Sequence, residues 1–126
     1  MRYLPLIGLL CLLACTADPS VTSTPGPVYE RLDNAAFAAR RAALPDAPLL
    51  DVRTPTEYAA GHLDGAMNVD VRAADFAERV AKLPKDRPVL VYCQAGGRSA
   101  RACTAMQEMG FTEVYELQDG YRNWPE

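Results

Sequence analysis

Thiols are scarce in this sequence, histidine is scarcer, and neither sign of charge dominates. Four cysteines and one histidine among 126 residues leave little reactive chemistry to place, and an isolated thiol is most often a small buried packing group. A long hydrophobic run is missing too: the apolar stretch from Leu4 to Ala14 is too short to span a bilayer. Nor is there a basic excess. Thirteen basic and 16 acidic residues give a net charge of −3, which argues against nucleic acid or an anionic membrane surface as the main partner. No internal repeat is visible. What remains is 49% hydrophobic and 23% charged, the balance of one ordinary globular domain rather than a disordered chain.

The start of the chain stands apart. A single basic residue, Arg2, precedes the short apolar run, in the manner of a secretory signal peptide over residues 1–14. The run ends in Leu12-Leu13-Ala14-Cys15, which resembles the lipobox of bacterial lipoproteins. That resemblance implies an exported protein, lipidated on Cys15 and anchored to a bacterial membrane facing the periplasm. Thr16 after Cys15 favours the outer membrane. The alternative is cleavage near Ala17 and a soluble periplasmic protein. Residues 15–27 are rich in Thr, Ser and Pro and lack periodicity, so they read as a flexible tether reaching roughly 20 Å.

From residue 28 to 126 the pattern alternates short apolar runs with helical stretches. "VYERL" is a possible first strand. Asp33 or Asn34 can cap the helix "AAFAARRAAL", and "PLLDV" (48–52) is a short run of the buried parallel-strand type. Thr54-Pro55-Thr56-Glu57 has capping-box spacing, so a brief helix should run to Ala60 and stop at Gly61. "AMNV" is a further strand, and Phe76, Val80 and Leu83 predict a helix over "RAADFAERVAKL". "PVLVY" (88–92) predicts a central strand, a helix starts near Ser99 and stops at Gly110, and "EVYEL" supplies the last strand. "GYRNW" is a final turn able to pack Trp124 on the domain. Strands alternating with helices of these lengths predict an α/β fold, a mostly parallel sheet covered on both faces. Ligands then bind beyond the carboxyl ends of the strands.

Cys93 lies at such an end, followed by Gln94, Ala95, Gly96, Gly97 and Arg98. Two glycines let successive N–H groups turn toward one point, and the sulfur is that point. The amides, the positive end of the next helix and the Arg98 guanidinium all favour negative charge, enough to bring a thiol from ~8.5 to ~7 or below. The expectation is a solvent-open thiolate in an anion cradle, a nucleophile rather than core filling.

"YCQAGGRSA" resembles the active-site loop of rhodanese-like sulfurtransferases. "LLDVRTPTEYAAGHLDGAMNV" (49–69) resembles the family's first signature and "MGFTEVYELQDGYRNW" its closing segment. Asp119 departs from that closing motif, which more often has glycine before Gly120. The resemblance implies a five-stranded sheet with flanking helices and a catalytic Cys93 cradled by Gln94, Ala95, Gly96, Gly97 and Arg98. It implies an anionic sulfane-sulfur donor such as thiosulfate, a Cys93 persulfide, and a cyanide, thiol or protein acceptor. No metal or organic cofactor is implied. Asp51, Arg53, Glu57 and His62 belong to the first signature and could support the loop; a lone His in a turn is more often structural. Cys103, about one turn into the next helix, is expected as a packed free thiol, too far from Cys93 for a bridge. Two other readings stand beside this one. A rhodanese fold can serve as a non-catalytic binding module, and phosphatase or arsenate reductase relatives use a loop one residue longer between cysteine and arginine.

Overall fold

A computed structural model describes residues 25–125. The signal peptide, Cys15 and most of the tether lie outside the described residues. Five strands form one sheet: β1 (Val28–Leu32), β2 (Leu49–Asp51), β3 (Met67–Asn68), β4 (Val89–Tyr92) and β5 (Glu113–Leu117), in the order β1-β5-β4-β2-β3. Every pairing is parallel. The helices are α1 (Asn34–Ala43), α2 (Pro55–Ala60), α3 (Phe76–Val80) and α4 (Gly97–Glu108), with a closing 3-10 turn at Tyr121–Asn123.

The sheet is parallel because each return passes through helix or turn, and parallel strands must be covered on both faces. Side chains alternate along β4 accordingly. Val89 and Val91 pack with Leu50, Val80, Ala102, Met106 and Phe111 on the α3/α4 face, while Leu90 and Tyr92 join Phe37, Leu49, Tyr115 and Leu117 on the α1 face. Trp124 meets Phe37 edge-to-face at 5.9 Å, which seats the last turn on that second layer. Each of these buried aliphatics contributes on the order of 1.5–3 kcal/mol.

Local signals act as the sequence predicts at two helix starts. Asp33 caps α1 through Ala36 N–H, and Thr54 and Glu57 form a full capping box with Pro55 in the first turn of α2. Two elements differ. The helix expected over 72–83 shrinks to Phe76–Val80 between turns, because its buried anchors, Phe76 and Val80, are one helical turn apart and the flanking segments bury little that would extend it. Helix α4 starts at Gly97, ahead of Ser99, so Arg98 and Ser99 sit in its first turn.

Candidate active site

The site is built where β4 ends. Tyr92 is the last strand residue, and alternation turns the Cys93 side chain to the α4 face, where it is only 1% exposed. The expected solvent-open thiol is therefore buried in this structure. The chain then doubles back over its own sulfur: Gly96 N–H donates to Cys93 Sγ at 3.1 Å, and the Ser99 hydroxyl lies 3.4 Å from it. Burial pushes the thiol up, but hydrogen bonds from Ser99 and from the backbone N–H groups of Ser99, Ala95 and Gly96 outweigh it. The net direction is down from the ordinary thiol value.

Only one of the two glycines is required for this path. Gly96 has φ +100°, and a Cβ there would lie 2.2 Å from the carbonyl oxygen of Gln118. Gly97 is helical with open space around it. The crowding at Gly96 reflects a brace formed by the closing segment. Gly120, at φ +75°, lies so close that a Cβ would fall 2.4 Å from the carbonyl of Gln94, while Tyr121 N–H donates to Cys93 O at 2.8 Å and Arg122 N–H to Gln94 O at 3.2 Å. Asp119, the departure from the closing motif, needs no left-handed backbone: among the described residues every positive φ belongs to glycine.

The first signature supports the loop from the other side. Asp51 and Arg53 form a buried pair with Nη2 2.6 Å from Oδ2, and the Tyr92 hydroxyl donates to the same oxygen at 2.7 Å. Arg53 also donates to Gln94 Oε1 at 3.0 Å and to Gly61 O at 2.7 Å, with its guanidinium 4.3 Å from the Tyr121 ring centre. Gln94 is thus held by its side chain through Arg53 and by its carbonyl through Arg122.

Arg98 corrects an expectation. Rather than facing the sulfur as a free cation, its guanidinium makes a two-pronged pair with Glu57, at 2.6 and 2.9 Å. That pairing holds the Glu57 carboxyl down at about 2 and raises Arg98. Starting α4 two residues early carries Arg98 toward α2, where the carboxylate of the capping box waits. His62 takes the structural role: exposed, stacked on Tyr58 at 3.7 Å, with Nδ1 2.9 Å from the Tyr58 carbonyl. Cys103 is a buried free thiol, as is Cys93, and burial pushes it well above the ordinary value.

Sequence reasoning missed the group behind the sulfur. The Ser99 hydroxyl donates to Glu116 Oε1 at 2.6 Å, and Glu116 is fully buried in β5. A readable signal existed: "EVYEL" was expected as a strand in a sheet covered on both faces, so a carboxylate at its fourth position had to be buried and partnered.

Residues 33–126 match the Rhodanese-like domain family. Among curated proteins, the chain is 43% identical over 79 residues to thiosulfate sulfurtransferase GlpE of Pseudomonas fluorescens, covering 62% of this chain and 70% of that one. It is 38% identical over 84 residues to the uncharacterized protein YqhL of Bacillus subtilis, covering 67% of this chain and 65%, just under two thirds, of that protein. The solution structure of the rhodanese-like domain from the Anabaena Alr3790 protein superposes with a TM-score of 0.65 at 28% identity, covering 75% of this chain and 71% of that one. With its parallel five-stranded sheet and its cysteine loop at the end of β4, the chain belongs to the Rhodanese-like domain family.

Proposed function

We propose that the protein is a sulfurtransferase that moves sulfane sulfur from thiosulfate or a similar anionic donor to a thiophilic acceptor through a persulfide on Cys93. The observation that carries this reading is the convergence of loop amides on Cys93 Sγ, with Gly96 N–H at 3.1 Å. Such a cradle favours the thiolate and accommodates the anionic persulfide that follows. The name of the Pseudomonas relative supports thiosulfate as donor.

The Cys93 thiolate attacks the outer sulfur of thiosulfate; the S–S bond of the donor breaks, and sulfite leaves with the electron pair. Cyanide, a thiol or a protein thiolate then takes the outer sulfur, and Cys93 returns as thiolate. Because Arg98 is tied to Glu57, its role is to fix the start of α4 and lend positive potential to the donor. Gln94, Ala95, Gly96 and Gly97 supply the walls and amides of the cradle, while Asp51 and Arg53 position Gln94. The six-residue loop from Cys93 to Arg98 favours a single sulfur over a tetrahedral phosphate or arsenate, and the intact cysteine favours catalysis over a docking role. Sulfite release from thiosulfate with cyanide as acceptor tests the reading; turnover of aryl phosphates without sulfur transfer contradicts it.

The same proposal places the domain, residues 28–126, on a lipid anchor at Cys15 facing the periplasm. The native precursor is expected to fractionate with membranes and the Cys15→Ala protein to carry no lipid. A native protein that is wholly soluble and begins near Asp18 overturns the anchor.

A further inference from the structure

Cys93, Ser99 and Glu116 form a continuous buried chain, 1%, 0% and 0% exposed. Sulfur and hydroxyl are 3.4 Å apart, and hydroxyl and carboxylate 2.6 Å. Ser99 has one proton to give and three acceptors around it: Glu116 Oε1, the Gly96 carbonyl at 3.2 Å, and the sulfur itself when ionised. The short contact assigns it to Glu116 at rest. Ser99 then offers a lone pair to the Cys93 S–H while Cys93 is protonated, and turns to donate to the sulfur once it ionises.

The carboxylate's two oxygens have separate duties. Oε1 faces Ser99, whereas Oε2 receives the Tyr29 hydroxyl and Arg31 Nε, the latter at 3.0 Å. Tyr29 is half-buried and Arg31 is 45% exposed, so the chain ends near solvent at β1, with the Arg31 guanidinium beside the loop: its Nη2 lies 3.3 Å from where a Cβ on Gly96 would stand. Cys103 on α4 also faces Glu116, as a thiol raised by burial and by that carboxylate. If Cys93 ionised outright, two negative charges would share one buried cluster with Arg31 partly exposed and the nearby Arg98 already paired with Glu57, which like-charge repulsion opposes.

We propose that Glu116 is the proton acceptor for Cys93, acting through Ser99. The Sγ–H bond breaks as the proton passes to Ser99 Oγ, and the hydroxyl's own proton passes to Glu116 Oε1. The negative charge moves from carboxylate to sulfur and the cluster keeps a single charge. Every hydrogen bond in the chain then runs the other way: Glu116 donates to Ser99, and Ser99 donates to the thiolate beside Gly96 N–H. Oε2 keeps Tyr29 and Arg31 throughout. Ser99 and Glu116 are thereby positioning and proton-holding residues behind the nucleophile, a role that rests on Cys93 being the sulfur carrier.

Two groups that share one proton titrate as a pair, so the thiolate fraction holds level between the pair's two macroscopic steps instead of following one sigmoid. The test is the rate of iodoacetamide alkylation at Cys93 in the full chain, followed by peptide mass spectrometry from about pH 5.5 to about pH 7.5. The wild-type rate is expected to change less than about threefold over that range, while Glu116→Gln falls about tenfold per pH unit below its single midpoint; Ser99→Ala, which keeps both titrating groups, is expected to lower the level rate by removing the hydroxyl that donates to the thiolate. Glu116→Asp restores part of the level region. A wild-type profile with the same one-proton slope as Glu116→Gln overturns the proposal. Should Glu116→Gln fail to fold, the wild-type profile decides alone, a level region supporting the shared proton and a one-proton slope overturning it. Iodoacetamide reads the proton and not the sulfur: a level wild-type profile without sulfite release contradicts the sulfur-transfer reading and leaves the proton path standing.

Discussion

Replacing Gly120 with alanine is expected to damage the site from a residue that never touches sulfur. Its backbone, φ +75° and ψ −179°, lies in a region that is essentially glycine's alone, and forcing another residue there costs on the order of 1–3 kcal/mol. Contact adds to this. The new Cβ would stand 2.4 Å from the Gln94 carbonyl oxygen, and real Cβ atoms do not approach closer than 3.0 Å, so one backbone must yield by about 0.6 Å. The Gln94 strand of the loop is what moves, and Cys93 O and Gln94 O are hydrogen-bonded to the two residues after Gly120. A cradle displaced by that amount is expected to lose on the order of ten- to a hundredfold in kcat. Stability is expected to fall by about 2–4 kcal/mol, or roughly 10–20 °C in Tm. Circular-dichroism melts and steady-state sulfite release measure the two effects. Gly97→Ala gives the stability contrast, since open space surrounds that helical position and its Tm is expected to hold or rise by up to about 5 °C. A Gly120→Ala protein with wild-type Tm and kcat refutes the brace.

Asp51→Asn leaves the Arg53 guanidinium buried without its anion and is expected to cost about 3–5 kcal/mol by urea unfolding; an unchanged midpoint contradicts the pair's structural role. Glu57, held at about 2 against an ordinary 4.5, contributes stability that is fully present above the ordinary value and lost as pH falls from there toward 2. The pair is partly exposed, with side-chain exposures of 16% and 31%, so its worth is about 1 kcal/mol rather than the larger figure the shift alone implies. The Tm gap between wild type and Glu57→Gln is therefore expected to be open near neutral pH and to close in that acid window; a gap independent of pH counts against the pairing. Cys103→Ser is expected to retain sulfite release, because its buried thiol is pushed far above the pH of turnover; loss equal to that of Cys93→Ser points to a two-thiol redox mechanism.

What was legible in the sequence followed from periodicity and local chemistry. The Thr54–Glu57 spacing located α2 to the residue, and "PVLVY" followed by a cysteine placed the nucleophile at a strand end. The glycine-rich loop pointed to a sulfur surrounded by amides. Partners set by tertiary contact were not legible. Arg98 was expected at the anion because the two lie close in sequence, yet Glu57, forty-one residues away, claims it. The path of the loop depends on the closing segment that braces its backbone, which neither stretch encodes alone. Glu116 was readable in principle from its place in an interior strand; that Ser99 would meet it depends on the two-residue shift in the start of α4, a boundary that local propensity leaves open.

The central claim is that Cys93 carries the transferred sulfur. Peptide mass spectrometry of the protein after brief exposure to thiosulfate tests it most directly. The account predicts one added sulfur on the peptide containing Cys93, removed by cyanide and absent in Cys93→Ser. Sulfur found on Cys103, or sulfite released with no sulfur retained on Cys93, contradicts it.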